Sequence, residues 1–414
     1  MKIEIPFAGD YQIVEVPEER IGAILSAKEV PIGDEAQAIK KSVDNPRGSP
    51  PLAKFLSRAG STLIVVNDGM RATPTPLVLD VILPYLEKTD YTLIVATGSH
   101  RAPNEAEMRM IFGHHLEDNR GRIVIHDSRA ANEMVTIGFA RQGYPIRVNR
   151  KVLEADRIIT INSVEPHFFA GFTGGRKSIL PGVSAYETIE SNHSYAMSPA
   201  SKPLALEGNP VHEGMADAIK CLSCKPIFSI QAVADKEGRI CAVESGDITA
   251  SFEAAVEKAR EVYCINVGEK FDIVVAVAPF PFDADLYQLQ KPLEHARLAL
   301  KEGGHLILVS ECRDGIGPDV FHRLMASCAT KEEMLLEIAR GYKLGYHKVV
   351  KLIDAWKKHR VCAVTNLEAE ILRTALIEPA ESVQSAVDSA LQEKGADAKI
   401  LFLMQASITV PVVG

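Results

Sequence analysis

Short runs of branched apolar residues alternate with longer amphipathic stretches along most of the chain, and this alternation limits the fold more than any other feature. "STLIVVND" (61–68) precedes "TPLVLDVILPYLEK" (75–88), and "YTLIVATG" (91–98) precedes "NEAEMRMIFG" (104–113); "RIVIHD" (122–127) and "DRIITIN" (156–162) follow. Continuous apolar runs suit strands buried on both faces, and amphipathic stretches between them suit crossover helices, so the pattern predicts βαβ units and a mainly parallel sheet. A second series begins near residue 271 with "FDIVVAVA", continues through "ADLYQLQKPLEHARLALKEGG" and "HLILVSE", and ends with "RVCAVTN" and "AKILFLM". Between the two series, residues 221–247 read as a hairpin turning at "DKEG" (235–238).

Two series in 414 residues, more than one hydrophobic core usually serves, predict two domains. The expected class is α/β, each domain having a mainly parallel sheet flanked by helices, with the active site in the interdomain cleft. Residues 1–267 are assigned to an N-terminal cofactor-anchoring domain and 268–403 to a C-terminal domain that closes over the substrate, with 404–414 expected to return to the first.

The formal net charge of -8 argues against a broad nucleic-acid or anionic-membrane surface and points to a small-molecule partner. The opening "MKIEIPFAGDYQIVEVP" alternates like a strand and lacks the apolar core of a signal peptide, so a cytoplasmic location is expected. Its apolar runs are too short to cross a bilayer. Seven cysteines without framework spacing read as reduced thiols. The single CxxC, Cys221 and Cys224, has no second pair and reads as small residues at a helix end.

Chemistry concentrates where apolar runs end, because ligands of parallel sheets gather at the carboxyl ends of strands. "VVNDGMRATPTP" offers Asp68 and Arg71 before a helix expected to be capped by Thr75 and opened by Pro76. "IVATGSHRAP" offers His100, and "IVIHDSRA" offers His126, read as structural. The densest stretch is "EPHFFAGFTGGRKSILPGV" (165–183), where His167 precedes a glycine-rich loop carrying Gly174, Gly175 and Lys177. It fails the P-loop pattern by one position, Arg176 standing where glycine is needed. Read alone, it is a glycine-rich turn or an anion nest. His193 follows on an expected helix, and "EGNPVHEGM" adds His212, but Ala216 four residues on excludes a zincin pair. Tyr287, Gln288 and Lys291 are expected on adjoining faces of one helical turn. "HLILVSECRDGIGPDVF" lacks the third glycine of a dinucleotide fingerprint, Asp319 taking its place.

Taken in order, "NDGMRATPTP", "GSHR", "EPHFFAGFTGGRKSILPGV", "NH", "GNPVHE" and "DLYQLQK" resemble the nickel-dependent lactate racemase family, from about residue 10 to beyond residue 290. The resemblance implies a racemase or epimerase of a 2-hydroxy acid, lactate or a relative of it, acting by hydride abstraction and return through a 2-keto acid. It also implies a nickel-pincer nucleotide, that is, nickel held by pyridinium-3,5-bisthiocarboxylic acid mononucleotide, and cofactor-synthesis enzymes to provide it. By that likeness Lys177 is the covalent anchor, His193 the nickel ligand, and His100 and His167 the paired acid/base groups. Asp68, Arg71, Gly174 and Gly175 fall at cofactor-binding positions; Arg71, Tyr287, Gln288 and Lys291 fall at substrate-binding ones. The family's D-D-x-T-R-P-T-P reads Asn67-Asp68-Gly69-Met70-Arg71-Ala72-Thr73-Pro74 here. The tryptophan bordering lactate in some members aligns near "GYHKV", at Tyr346 or His347, whereas the sole tryptophan is Trp356. The rival readings are a sugar-acid 2-epimerase and a non-catalytic cofactor- or anion-binding protein of the same fold.

Overall fold

The apolar runs become two six-stranded sheets in the computed structural model, which describes residues 1–30, 32–57, 60–71, 73–87, 89–235 and 237–414. The first sheet has the spatial order Ile240–Gly246, Ile227–Ala234, Arg157–Ser163, Thr62–Asn67, Tyr91–Ala96, Ile123–Ile125. All neighbours are parallel except the first two, which form the expected antiparallel hairpin. Its turn closes through the Gly238 N–H on the Asp235 carbonyl at 3.1 Å; Lys236, within that turn, lies outside the described residues, as does Ala72 of the Asn67–Pro74 motif. The second sheet, all parallel, runs Glu378–Pro379, Arg360–Val364, Leu300–Val309, Phe271–Val277, Ile400–Leu403, Ile21–Leu25.

Strict alternation inside these runs explains why each sheet is covered on both sides. Leu63, Val65, Ile94 and Ile158 enter one core layer, while Ile64, Val66, Leu93 and Ile159 enter the layer on the opposite face. The second sheet repeats the device: Val274, Leu306 and Leu401 face one way, Ile273, Ile307 and Phe402 the other.

Two details differ from the sequence reading. The boundary drawn at 267/268 gives the chain's first residues to the first domain, yet Ile21–Leu25 pairs with Ile400–Leu403 at the edge of the second sheet. The hairpin formed by Lys2–Phe7 and Asp10–Glu15 also places Ile3, Ile5 and Val14 in that sheet's core. A strand whose pairing partner lies nearly four hundred residues away carries no local signal of which sheet it will join. The tail strand Val410–Val412 pairs with Cys264–Asn266, directly after the helix Ile248–Tyr263. The second difference is local: the helix expected to hold Tyr287, Gln288 and Lys291 begins only at Gln290, so Tyr287 and Gln288 sit in the preceding turn. Asp285 accepts the Gln288 N–H at 2.7 Å and holds that turn.

Helix starts are set by short polar side chains. Asn104 and Glu107 form a reciprocal capping box, and Asn209 caps the helix opened by Pro210. At Thr75–Ile82 the helix starts one residue early; Thr75 is helical, Pro74 precedes it, and no side chain caps it. No described helix is long and apolar enough to cross a membrane. All seven cysteines are free thiols.

Candidate active site

Asp68 follows the strand Thr62–Asn67, His100 follows Tyr91–Ala96, and Glu165 and His167 follow Arg157–Ser163. Three adjacent parallel strands thus deliver their loops to one edge, where Tyr287, Gln288 and Lys291 arrive from the second sheet. The resulting cavity is lined by Asp68, Arg71, His100, His167, Gly174, Lys177, His193, Tyr287, Gln288 and Lys291. These are the residues singled out in the sequence, save Gly175. Gly175 has its backbone N–H on the Gln231 side chain at 3.0 Å, and an added Cβ would meet Phe252 Cβ at 2.9 Å. It therefore packs the loop against the helix Ile248–Tyr263 and does not line the cavity.

The two histidines are held in opposite ways. His100 Nδ1 lies 2.7 Å from Asp68 Oδ2. Burial alone would raise the pKa of Asp68, but the charge and hydrogen bond of His100, together with Arg71, outweigh it and hold the carboxyl below its usual value. An ionised Asp68 can only accept, so the Nδ1 of neutral His100 carries the proton and its Nε2 keeps a lone pair. His167 is the converse. Its Nδ1 faces the Ala170 and Phe169 backbone N–H groups at 3.3 and 3.5 Å, so in the neutral ring the proton sits on Nε2. Burial, then the charges of Lys177, Arg71 and Lys291, push the pKa of His167 well below normal. One imidazole is thereby set to accept a proton and the other to donate a hydrogen bond.

Lys177 sits in the single 3₁₀ turn Gly175–Ser178, entered through Gly174 at φ 84°, a left-handed conformation that favours glycine. Its amine is pushed well below the usual lysine range by burial first, then by Arg71, Arg176 and Lys291, with Glu165 opposing. No hydrogen bond or ion pair among the described residues holds it; the Phe169 ring centroid lies 6.0 Å away. Desolvation of this kind favours the neutral, nucleophilic form of an amine.

Arg176, the residue that spoils the P-loop pattern, explains the loop's shape. Its Nε donates to His212 Nδ1 at 2.9 Å, and its two terminal nitrogens donate to the carbonyls of Ala170, Phe172, Thr173 and Gly174 at 2.9–3.3 Å. All five guanidinium protons are used inside the protein, so Arg176 knits the loop and leaves Lys177 to face the cavity. Burial lowers its pKa to about 9.

His193 lies near the end of the helix Tyr186–Ser194, which Asn192 anchors through Tyr144 Oη at 3.0 Å and the Val211 carbonyl at 3.1 Å. Burial, then Lys177 and His100, lower the His193 pKa to about 3, so its ring is neutral and a competent metal ligand. Its Nδ1 makes no hydrogen bond of good geometry, although the Ile189 carbonyl one turn back stands close.

Positive groups outnumber negative ones around the cavity. Arg71 is paired with Glu165 at 2.6 Å, and burial followed by Arg71 brings the Lys291 pKa down to about 8. Two participants escaped the sequence reading. Glu165 was visible in the motif but not recognised as the partner of Arg71. Lys348, from "GYHKV", lines the cavity with its amine 2.7 Å from the Tyr287 carbonyl and 3.7 Å from the Tyr287 ring centroid. Trp356 lies elsewhere, half exposed beneath Lys331, and Tyr346 does not line the cavity.

The chain is similar to known lactate racemases. The lactate racemase N-terminal domain matches residues 8–203, and the lactate racemase C-terminal domain matches 267–412. Lactate racemase of Thermoanaerobacterium thermosaccharolyticum is 29% identical over 96% of both chains, and that of Lactiplantibacillus plantarum is 29% identical over 88% of both. The apoprotein structure of the Thermoanaerobacterium enzyme superposes with a TM-score of 0.91 at 28% identity, covering all of both chains. A Thermotoga maritima protein at 17% identity shares the fold, with a TM-score of 0.72 over 94% of this chain and all of that one.

Proposed function

This chain belongs to the lactate racemase family and is an isomerase of the racemase kind, and on that premise we propose that it interconverts the enantiomers of lactate or a related 2-hydroxy acid with a nickel-pincer nucleotide anchored on Lys177. The observation that carries the proposal is the convergence of His100 and His167, in complementary protonation, on a cavity that also presents Lys177 and His193.

The residues fit the implied group. Lys177 offers a desolvated, unengaged amine suited to an acyl linkage, and His193 would offer a neutral imidazole to the nickel. Gly174 admits no side chain, because a Cβ there would meet Val164 Cγ2 at 2.5 Å. When bound, such a nucleotide supplies an electron-deficient ring able to take the substrate's α-hydrogen and give it back.

The chain's own residues do the rest. Arg71 and Lys291 bind the substrate carboxylate. His100, through Nε2, takes the hydroxyl proton of one enantiomer as its carbon becomes a planar ketone; His167, through Nε2–H, donates a hydrogen bond to the same oxygen, and the proton needed when the opposite face is reduced comes back from the His100 imidazolium. The reverse reaction uses the same groups, and Asp68 stabilises His100 while it is cationic. Loops from both sheets enclose the cavity and limit water during the transfer. Lys348, which lines the cavity beside Tyr287, favours a 2-hydroxy acid with a more polar substituent, including a sugar acid epimerised at C2.

The test is to co-produce the chain with the cofactor-synthesis enzymes, map the loop peptide by mass, measure nickel, and follow enantiomers of a 2-hydroxy acid panel by chiral chromatography. An adduct on Lys177, nickel lost on His193→Ala, and interconversion of at least one pair are expected. An unmodified Lys177 without nickel under these conditions overturns the reading.

A further inference from the structure

A second cluster of metal-ligating side chains lies away from the cavity. Asp80 sits on the helix Thr75–Ile82, which continues from the Asp68–Arg71 loop, and His114 and His115 occupy the turn Gly113–His115 after the helix Glu105–Phe112. Both histidines point Nε2 at the same atom, Asp80 Oδ1, each at 2.8 Å. The three ligand atoms lie within 4.8 Å of one another, and none of the three residues lines the central cavity.

We propose that Asp80, His114 and His115 form a binding site for a borderline divalent transition metal such as nickel or zinc, additional to the nickel position that the family reading gives to His193. Donors held about 2.0–2.2 Å from such an ion stand roughly 3 Å apart, so the observed spacings need only small adjustment to admit one. Two imidazoles and one carboxylate suit nickel, copper and zinc better than magnesium or calcium, which prefer oxygen sets. The side chains are 41% exposed at Asp80 and 66% at His114 against 14% at His115. Water can therefore complete the coordination from the open side while His115 is seated by the protein.

The frame is preorganised. The His114 and His115 rings lie 4.0 Å apart by centroid. The His115 carbonyl accepts the Asn119 side-chain N–H at 2.8 Å, and buried Asn119 in turn accepts Tyr91 Oη–H at 2.7 Å. Gly113, at φ 56°, packs so closely on the helix that a Cβ would stand 3.0 Å from Pro76 Cβ. A metal here clamps the histidine turn to the helix that leads from the Asp68–Arg71 loop. It also raises the nickel content of the purified enzyme above one per chain, which matters for any stoichiometry assigned to the cofactor.

The experiment uses the full chain without an affinity tag, made in a host lacking the cofactor pathway so that Lys177 is unmodified. Nickel chloride and zinc chloride are titrated calorimetrically into the unaltered protein and into His114→Ala, Asp80→Asn and His193→Ala, with metal-free melting curves as the control for folding. One site that survives His193→Ala is expected. Each of the other two substitutions should weaken it by more than the roughly 10–100-fold that loss of an outer-shell partner costs. The metal should raise the melting temperature of the unaltered protein but not of His114→Ala. Absence of binding in the unaltered protein, or binding that disappears in His193→Ala and persists in His114→Ala and Asp80→Asn, overturns the proposal.

Discussion

Replacing Asp68 with asparagine tests whether the carboxylate sets the working state of His100. The change keeps the size of the side chain but removes the charge and turns one of its two acceptors into a donor. The bond at risk is the 2.7 Å contact between Asp68 Oδ2 and His100 Nδ1, a charge-assisted bond of a kind worth about 1.5–3 kcal/mol. If an amide N–H now faces Nδ1, the neutral ring moves its proton to Nε2 and loses the lone pair that accepts the substrate's hydroxyl proton. Expressed only in the transition state, that loss is roughly a 10- to 150-fold fall in kcat, with little change in KM because the substrate carboxylate is held elsewhere. The assay is chiral chromatography of both enantiomers as starting material, with rates normalised to the fraction of Lys177 carrying the adduct. Rates within about twofold of the unaltered enzyme at matched adduct content would refute the argument, because the carboxylate would then be dispensable for proton transfer.

Other perturbations probe the loop and the charge of the cavity. Lys291, with a folded pKa of about 8 against an ordinary 10.5, is charged in both states below pH 8, where its burial costs stability in full. Between about pH 8 and 10.5 the unfolded chain binds more protons and the cost fades. Lys291→Met should therefore stabilise the apoprotein by about a few kcal/mol at pH 7, and the gain should shrink toward zero by about pH 10.5 in urea melts. A gain that does not change with pH would contradict it. Arg176→Lys offers three donors where five are used, leaving buried loop carbonyls unsatisfied at about 1–3 kcal/mol each; the melting temperature should fall and Lys177 should lose its adduct, whereas a variant that melts and loads normally would show that the loop holds its shape without the guanidinium. Gly171→Ala forces a Cβ to within 2.2 Å of the Ala205 carbonyl oxygen at φ 77°. It should destabilise the fold by at least about 1–3 kcal/mol, and unchanged denaturant midpoints would argue that the Ala205 segment yields.

The doubly buried strands were legible because their signal is local: a run such as "TLIVVN" states both its conformation and the burial of its two faces, and the polar residues after it mark the functional edge. Pairing across the chain left no such mark. Nothing in "IGAIL" says that it will extend the second sheet beside Ile400–Leu403, since the choice depends on an edge left free hundreds of residues later. The turn before Gln290 was misread for the opposite reason. Tyr287 and Gln288 have good helical neighbours, but Asp285 holds their backbone in a turn through a side-chain bond that periodicity cannot register.

The site divides along the same line. Histidines at strand ends and a lysine among glycines mark candidate positions in the sequence, yet their protonation is a property of partners supplied by the fold. His100 and His167 are the same residue type in comparable positions, and they differ because one ring nitrogen meets a carboxylate while the other meets backbone N–H groups. Arg176 makes the point most sharply. In the sequence it counts against a phosphate-binding loop by occupying a glycine position; in the structure its five N–H groups tie Ala170 through Gly174 and His212 into the frame from which Lys177 projects. A glycine there would free the backbone to approach a phosphate, whereas the arginine closes the backbone on itself and adds, after burial and Arg71, to the lowering of the neighbouring lysine's pKa. That exchange turns a loop suited to clamping an anion into one suited to presenting a desolvated amine, which is what a covalent anchor requires.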